Sequence, residues 1–334
     1  LVPPIPGIED VQALTSDTLW NIRELPKRLV VVGGGPIGCE LAQTFARFGS
    51  EVTILEGMNR LLLKEDIEVS DAVRTKFEAE GITVLTGHMV EGFKNDDGAK
   101  VVHCDCKPKK LNIECDEIIM ALGRKANVTG FGLEELGVEI RKNGTIEVDD
   151  FLRTNYPNIY AVGDVTGPYQ FTHFAAHQAW YAAVNSLFSP FKKFKTDYRV
   201  IPWTTFTDPE VARVEINEQE AIDEGIDFEV TRYGLDDLDR AIADGEDSGF
   251  VKVITPKGKD KILGATIVGS HAGDLLTEFV LAMKHGLGLN KILGTIHAYP
   301  TMSEANKYLA GNWKKAHAPE ELLNWVEKFH TWRR

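Results

Sequence analysis

Arg28-Leu-Val-Val-Val-Gly33-Gly34-Gly35-Pro-Ile-Gly38-Cys-Glu40-Leu-Ala is the stretch that decides how this 334-residue chain is read. Val30, Val31 and Val32 form a β-branched run, glycines follow at the G-x-G-x-x-G spacing, and a helix-forming segment comes next. A dinucleotide loop has to lie between a strand and a helix N-terminus, and this context meets that requirement. Gly33 allows the tight turn, Gly35 lets the backbone approach a pyrophosphate, and Gly38 lets helix and strand pack closely. The first N–H groups of the helix then present a partial positive charge to the phosphates. The next strand, Glu51-Val-Thr-Ile-Leu-Glu56, ends in an acid eighteen positions beyond Gly38. A carboxylate there accepts from the ribose hydroxyls of NAD and repels a 2′-phosphate. Glycines alone are a weak signal, but strand, glycines, helix, strand and acid together define a nucleotide site.

Outward from this loop, the pattern over 29–121 alternates strand and helix. A strand at 29–32 is followed by a helix over 37–48 that stops at Gly49, and a strand at 51–55 by a helix over about 66–80. Val69, Val73 and Phe77 give that second helix its apolar face, and Gly81 ends it. A strand from Ile82, hairpin-like strands near 89–94, 99–104 and 111–115, and Glu117-Ile-Ile-Met-Ala-Leu-Gly123 complete the unit. Strands alternating with helices around a glycine loop predict a parallel, doubly wound α/β sheet. Residues 1–27, with Pro3, Pro4, Pro6 and Gly7, read as an entry segment.

From about 124 to 198 the centre is Thr154-Asn-Tyr-Pro-Asn-Ile-Tyr-Ala-Val-Gly163-Asp164-Val. Ile159–Val162 is expected as a strand ending in Gly-Asp, before a helix that carries His173 and His177. An acid placed there bonds a sugar or polyol hydroxyl, or else caps the helix. From about 199 to 310, antiparallel strands are expected from Val200, at 228–233, 250–255 and 262–268, with helices over 218–224 and 272–285. Thr301-Met-Ser-Glu304 has the spacing of a capping box for a helix running to about Leu309. The tail from Pro319 reads as an amphipathic helix, acidic at its start and basic at its end, whose Trp325, Phe329 and Trp332 are expected to pack on the protein rather than on a membrane.

The formal net charge of −13 argues against a nucleic-acid surface, which needs Lys and Arg. No apolar run approaches the roughly 20 residues that span a bilayer, and the N-terminus lacks the pattern of a signal peptide. Four cysteines (Cys39, Cys104, Cys106, Cys115) make no disulfide framework and fit a reducing cytoplasm. Cys104-Asp-Cys106 is read as a solvated hairpin turning at Lys107–Lys110, because structural zinc wants C-x₂₋₄-C pairs. Cys39 is read as a packed small residue.

Gly33–Glu40, Ala121-Leu-Gly-Arg-Lys-Ala-Asn127 and Asn158-Ile-Tyr-Ala-Val-Gly-Asp-Val165, in this order, resemble the class I pyridine nucleotide-disulfide oxidoreductases. Phe206-Thr-Asp-Pro-Glu210 and Tyr299-Pro-Thr-Met-Ser-Glu304 are similar to that family's C-terminal dimerisation domain, and the nearest branches are dihydrolipoamide dehydrogenase and mercuric reductase. The resemblance implies a Rossmann-like NAD(P)H-binding domain over 28–123 and the C-terminal part of an FAD-binding domain over 124–198. It further implies an α+β dimerisation domain over 199–310, with 311–334 as a helical tail and 1–27 as the link from the rest of the FAD domain. It places Gly33, Gly35, Gly38 and Glu56 on NADH (NADPH remaining open beside Arg60), Glu40 near the nicotinamide, and Gly123 at the close of the nucleotide domain. Gly163 and Asp164 are assigned to FAD, and the segment 172–179 to the flavin's surroundings. A homodimer is implied, with a small-molecule or thiol/disulfide acceptor.

Departures from the family pattern narrow this reading. The FAD-binding strand–glycine–helix unit and the Cys-x₄-Cys redox pair are absent, so they are expected upstream of Leu1. Ala126 replaces the usual proline of the Ala-x-Gly-Arg signature. Tyr299 stands where the dehydrogenases carry a histidine base before Pro-Thr-x-x-Glu, with Glu304 retained and His297 two residues earlier. A phenol of pKa about 10 is a poor base near neutrality but a serviceable hydrogen-bond donor. Mercuric reductases also resemble this chain in that tyrosine, yet their C-terminal cysteine pair is missing from Phe329-His-Thr-Trp-Arg-Arg. Tyr299, Glu304 and Glu40 are the catalytic candidates, and no metal is expected. The competing readings are an NADH dehydrogenase-like flavin reductase without a disulfide, and a non-catalytic NAD-binding, redox-sensing dimer.

Overall fold

Strand β1 (Arg28–Val32) lies between two parallel neighbours, and the other elements of the nucleotide-binding region are arranged about it. The computed structural model describes residues 2–96, 98–105 and 110–334. These divide into two packed units, one of residues 123–201 and the other of 2–122 together with 202–334.

In the larger unit a short α1 (Ile8–Val11) precedes β1, and α2 (Pro36–Phe48), β2 (Glu51–Glu56), α3 (Ile67–Ala79) and β3 (Thr83–Thr86) follow. β4 (Met89–Asp96), β5 (Ala99–Asp105) and β6 (Lys110–Cys115) come next, and β7 (Glu117–Met120) returns beside β1. The order β3-β2-β1-β7 is all parallel, with Val30 opposite both Thr53 and Ile118. Leu29 to Val32 are all buried, as a parallel strand covered on both faces requires. Pro36 opens α2 with a ring already set for helical φ, and Gly49 ends it at φ +106°. Gly38, Ala42 and Phe45 recur at helical spacing and give α2 its buried face.

β4, β5 and β6 form a separate antiparallel sheet. Its hairpin is less solvated than its composition suggests, since Cys104 and Cys115 are buried with Phe93 and Val102. Cys106 and Lys107–Lys109 of the expected turn lie outside the described residues.

The unit of residues 123–201 holds α4 (Leu133–Leu136) and α5 (Thr172–Phe188), and Val128, Val138, Ile146 and Ala161 form a buried cluster against which Leu133 of α4 packs. The strand expected at 159–162 does not form. A strand needs a neighbour along its length, and here only Tyr160 pairs, with Arg153.

Beyond Ile201 the larger unit resumes with β8 (Pro202–Thr205), β9 (Glu210–Glu215), α6 (Glu218–Asp223), β10 (Phe228–Gly234) and α7 (Asp239–Asp244). β11 (Phe250–Pro256), β12 (Gly264–Gly269), α8 (Ala272–Lys284), α9 (Leu289–Leu293), α10 (Glu304–Ala316) and α11 (Glu320–Arg333) complete it. The five strands pair antiparallel in the order β10-β11-β12-β9-β8. The helix expected to end near Leu309 runs on to Ala316, because Ala310 and Trp313 continue its buried face. α11 has no buried residue, so the expected packing of its aromatic side chains on the protein is not seen.

An ionic clamp joins the two parts of this unit. Lys252, on β11, is 1% exposed. Its Nζ donates to Asp66 Oδ2 (2.6 Å), Glu68 Oε1 (2.5 Å) and Glu218 Oε1 (2.7 Å), which uses all three ammonium protons. Burial opposes the charge, but the three carboxylates outweigh it and hold Lys252 above the ordinary lysine value. Beside it, Arg213 lies over the Trp203 ring at 4.4 Å and donates to Glu220 Oε1 and the Lys64 carbonyl. Trp203 Nε1–H in turn donates to Glu65.

Substituting Lys252→Met is expected to cost about 3 kcal/mol in urea unfolding, the low end for a broken buried ion pair, because Glu68 and Glu218 keep some access to water. A raised lysine pKa gives stability that is full below the unfolded value and lost as pH rises through the folded one. The gap between wild type and variant should therefore hold from neutrality to about pH 10 and narrow above it. A gap near zero at neutral pH would remove Lys252 from this role.

Candidate functional site

The glycine loop is built by close approach. Gly33 has φ +113°, and a Cβ on it would meet the Ala121 carbonyl oxygen at 2.6 Å. A Cβ on Gly38 would lie 1.9 Å from the Gly33 carbonyl oxygen, so α2 reaches β1 only because residue 38 lacks a side chain. Gly35 is the opposite case. No atom lies within 4 Å of its Cβ position, so a methyl group there would enter the open space above the α2 N-terminus. No side chain caps that terminus. The free space and uncapped backbone N–H groups fit a diphosphate.

Glu56 closes the loop from the end of β2. Its Oε2 accepts from Gly34 N–H (2.7 Å) and its Oε1 from Met58 N–H (2.7 Å). The acid and the glycines, read from separate parts of the sequence, are thus in direct contact. Arg60 turns away, its Nη2 donating to the carbonyls of Leu63 (2.9 Å) and Glu65 (3.3 Å). Cys39 is fully buried under the loop, and burial followed by the charges of Glu40 and Glu56 pushes its thiol well above the usual range.

Glu40 projects from α2, and its Oε1 accepts from Phe206 N–H (2.8 Å). The Phe206 side chain is 70% exposed. The same connection is held by Gln43, which accepts from Asp208 N–H and donates to its carbonyl, and by Arg47, which pairs with Glu80 and Asp208. Phe206 and Gln43 carry no motif of their own. Only the family-like Phe206-Thr-Asp-Pro-Glu210 run pointed toward this strand end.

Tyr299 and Glu304 lie near the start of α10 but do not bond each other. Tyr299 is 68% exposed and its hydroxyl donates to Asp239 Oδ2 (2.9 Å). The hydrogen bond and charge of Asp239 raise the phenol above its ordinary value, which makes it a donor and not a base. Glu304 is 5% exposed. It accepts from Thr301 N–H (3.2 Å) and the Tyr308 hydroxyl (3.2 Å). Only half of the expected capping box forms, because Thr301 Oγ1 donates to the Ala298 carbonyl instead. A groove of about 560 Å³ beside Glu304 is lined by Tyr233, Asp239, Lys307, Tyr308 and Lys315. His297 is held at both ring nitrogens, by the Thr295 carbonyl (3.1 Å) and Glu278 Oε1 (2.9 Å), while Asn306 donates to the other Glu278 oxygen. The histidine–carboxylate pair of this region is therefore His297–Glu278, which sequence reasoning missed because Glu278 is nineteen residues away on α8.

In the unit of residues 123–201, Gly163 takes φ +78° and its N–H donates to Gln178 Oε1 (2.6 Å). Asp164 pairs with Arg124 (3.0 Å), the residue after Gly123, whose φ is +107°. The motif Gly123-Arg124 and the motif Gly163-Asp164 therefore meet through one ion pair. Gln178 also reaches the Tyr198 hydroxyl, an order that no sequence spacing announces. Among the described residues no group of three metal-ligating side chains forms.

With this geometry in view, comparison with known proteins defines the class. The pyridine nucleotide-disulphide oxidoreductase family matches residues 1–179, and its dimerisation domain matches residues 201–310. The chain belongs to the pyridine nucleotide-disulphide oxidoreductase family. It is 37% identical over 305 residues to a mercuric reductase of Bacillus cereus, covering 91% of this chain and 48% of that protein. It is 36% identical over 308 residues to a dihydrolipoyl dehydrogenase of Chlamydia muridarum, covering 90% and 64% respectively. Among solved structures, the HOCl-induced flavoprotein disulfide reductase RclA of Escherichia coli matches with TM-score 0.84 and 31% identity, covering 93% of this chain and 71% of that one. The chain thus spans about half to two thirds of the length of the curated relatives it matches.

The two glycines should separate folding from binding. Gly38→Ala is expected to lower unfolding stability by about 2 kcal/mol or more, since neither backbone can yield. Gly35→Ala should unfold within about 0.5 kcal/mol of wild type, yet bind NADH more weakly in calorimetric titration. Unchanged affinity in Gly35→Ala would take the diphosphate away from this loop.

Proposed function

We propose that this chain is the NADH-binding and dimerisation portion of an FAD-dependent pyridine nucleotide-disulphide oxidoreductase. The observation that carries the reading is the Glu56 carboxylate on the glycine loop, bonded to Gly34 N–H beside the open position at Gly35. The nicotinamide and flavin, when bound, supply the hydride chemistry, and the protein aligns them. Residues 28–123 bind the dinucleotide. Gly33, Gly35 and Gly38 shape the diphosphate cradle, and Glu56 accepts from the ribose hydroxyls. Arg60 is occupied by backbone carbonyls, which favours NADH over NADPH. Glu40, fixed by Phe206, borders the nicotinamide side. Residues 124–198 contribute Gly163 and Asp164 to the FAD site, with Gly123 at the junction, and 199–310 form the homodimer.

Tyr299 and Glu304 line the acceptor side. With its phenol held protonated by Asp239, Tyr299 offers a hydrogen bond rather than removing a thiol proton. A small-molecule or thiol/disulfide acceptor is consistent with that. The cytoplasm is the compartment proposed, in keeping with the four cysteines among 334 residues. No described helix is long and apolar enough to cross a membrane.

Calorimetric titration tests the nucleotide assignment. NADH should bind about tenfold or more tightly than NADPH, a difference of about 1.4 kcal/mol. Glu56→Gln, which keeps an acceptor for Gly34 N–H but removes the charge, should narrow that gap. Equal affinities in wild type would remove Glu56 from its role.

Two further measurements address the flavin and the dimer. Among the described residues only one strand–glycine–helix unit is present, so the purified chain should be colourless, and near-stoichiometric flavin absorbance would refute the partial-site argument. Sedimentation at micromolar concentration should find a dimer.

A further inference from the structure

The last helix is an amphipathic element with no buried residue on its apolar side. Leu322, Trp325, Val326, Phe329 and Trp332 recur at three- and four-residue spacing and share one face. Trp332 is 81% exposed, and Leu322, Trp325 and Phe329 are exposed as well. The Trp325 and Phe329 rings stack at 5.8 Å, and Phe329 lies 6.2 Å from Trp332. Glu320, Asn324, Glu327 and Thr331 occupy the opposite face.

Charge identifies the occupant. The first turn carries Glu320 and Glu321, and the last carries His330 and Arg333, with Arg334 following. At 1.5 Å per residue these ends are roughly 20 Å apart, too far for an ion pair within one helix. Two such helices laid antiparallel bring each acidic end against the other's basic end, whereas parallel helices oppose like charges. We propose that α11 packs antiparallel against α11 of a second copy of this chain, apolar face to apolar face. This rests on the homodimer reading, which keeps the second copy close and its tail at high effective concentration. α11 starts three residues after α10, whose first half falls inside the matched dimerisation domain. The pairing is isologous, as a two-fold dimer requires. A lipid surface fits less well. Glu320, Glu321 and Glu327 balance Lys328, Arg333 and Arg334, so the helix lacks the basic excess that draws amphipathic helices to anionic headgroups.

Sedimentation of the full chain against a chain ended at Ala318 tests the proposal. Since no residue of α11 is buried, its removal is expected to leave the remaining fold intact. The shortened chain should remain able to dimerise, with a dissociation constant raised about tenfold or more. Equal constants leave the homodimer reading standing and overturn the tail pairing, while a monomer in both cases overturns the two together. In a mixture of the E320K/E321K and R333E/R334E variants, mixed dimers should exceed the statistical share, and a statistical distribution counts against the proposal. In a C106S background, mild oxidation should cross-link V326C, on the apolar face, and leave N324C, on the polar face, uncross-linked. Equal cross-linking of the two, or none, overturns it. Full-length chain that sediments with phosphatidylcholine/phosphatidylglycerol vesicles, where the shortened chain does not, would assign the face to lipid instead.

Discussion

Lys252 is the charge on which the larger unit's geometry depends. An ammonium group this deeply buried is tolerable only with every proton bonded, and its three partners come from two parts of the sequence. Asp66 and Glu68 belong to the start of α3, and Glu218 to the start of α6. The consequences run back to the nucleotide loop. Asp66 ends the segment that contains Leu61 and Leu62, and Leu62 N–H donates to the Gly34 carbonyl at 2.8 Å. Ser70, one turn into α3, holds the Leu61 carbonyl. The glycine loop is therefore braced by a clamp whose cation sits on β11, far along the chain. Apolar residues replacing Lys252 and its three carboxylates together would pack more cheaply, but they would not fix which turn of α3 faces the antiparallel sheet.

The two candidate regions differ in chemistry. At the glycine loop the α2 N-terminus has no side-chain cap, Gly35 borders open space and Glu56 is tied to the loop itself, which suits a diphosphate with a ribose beyond it. At the start of α10 the side chains are committed to one another: Tyr299 to Asp239, Glu304 to Thr301 and Tyr308, His297 to Glu278. None of these pairs leaves an exposed imidazole poised for proton removal. Tyr233 adds to the same character, its phenol pushed up to about 12, first by burial and then by nearby carboxylates. This region is a surface of protonated hydroxyls.

What could be read in the sequence follows from how local each signal is. Glycine spacing, β-branched runs and helix stops act over a few residues, so β1, α2, β2 and α3 were expected within a residue or two of where they lie. Glu56 was legible because strand length fixes its distance from the loop. The strand at 159–162 was misread because its composition is strand-like while pairing depends on a neighbour elsewhere in the chain. The partners of Glu40, His297 and Asp164 were invisible for the same reason: Phe206, Glu278 and Arg124 are brought to them by tertiary packing, not by spacing. Tyr299 illustrates the boundary, since its identity argued against a base, but only Asp239, supplied by α7, raises its pKa further.

Thiol chemistry gives the sharpest constraint on how this chain takes part in any disulfide reaction. A nucleophilic cysteine needs a thiolate, favoured by nearby cations or a helix N-terminus and by access to solvent. Cys39 lies near a helix N-terminus, yet burial comes first and the charges of Glu40 and Glu56 add to it, so its proton is held. Cys115 is pushed up to about 12 by burial despite Lys100 and Arg28 nearby, and Cys104 is buried in the same small sheet. Burial first, and then the charges of Glu40 and Glu56, thus keep the thiol nearest the loop inert. Cys39 and Cys115 offer no reactive sulfur and Cys104 is buried, so a disulfide step would need a thiol pair other than these.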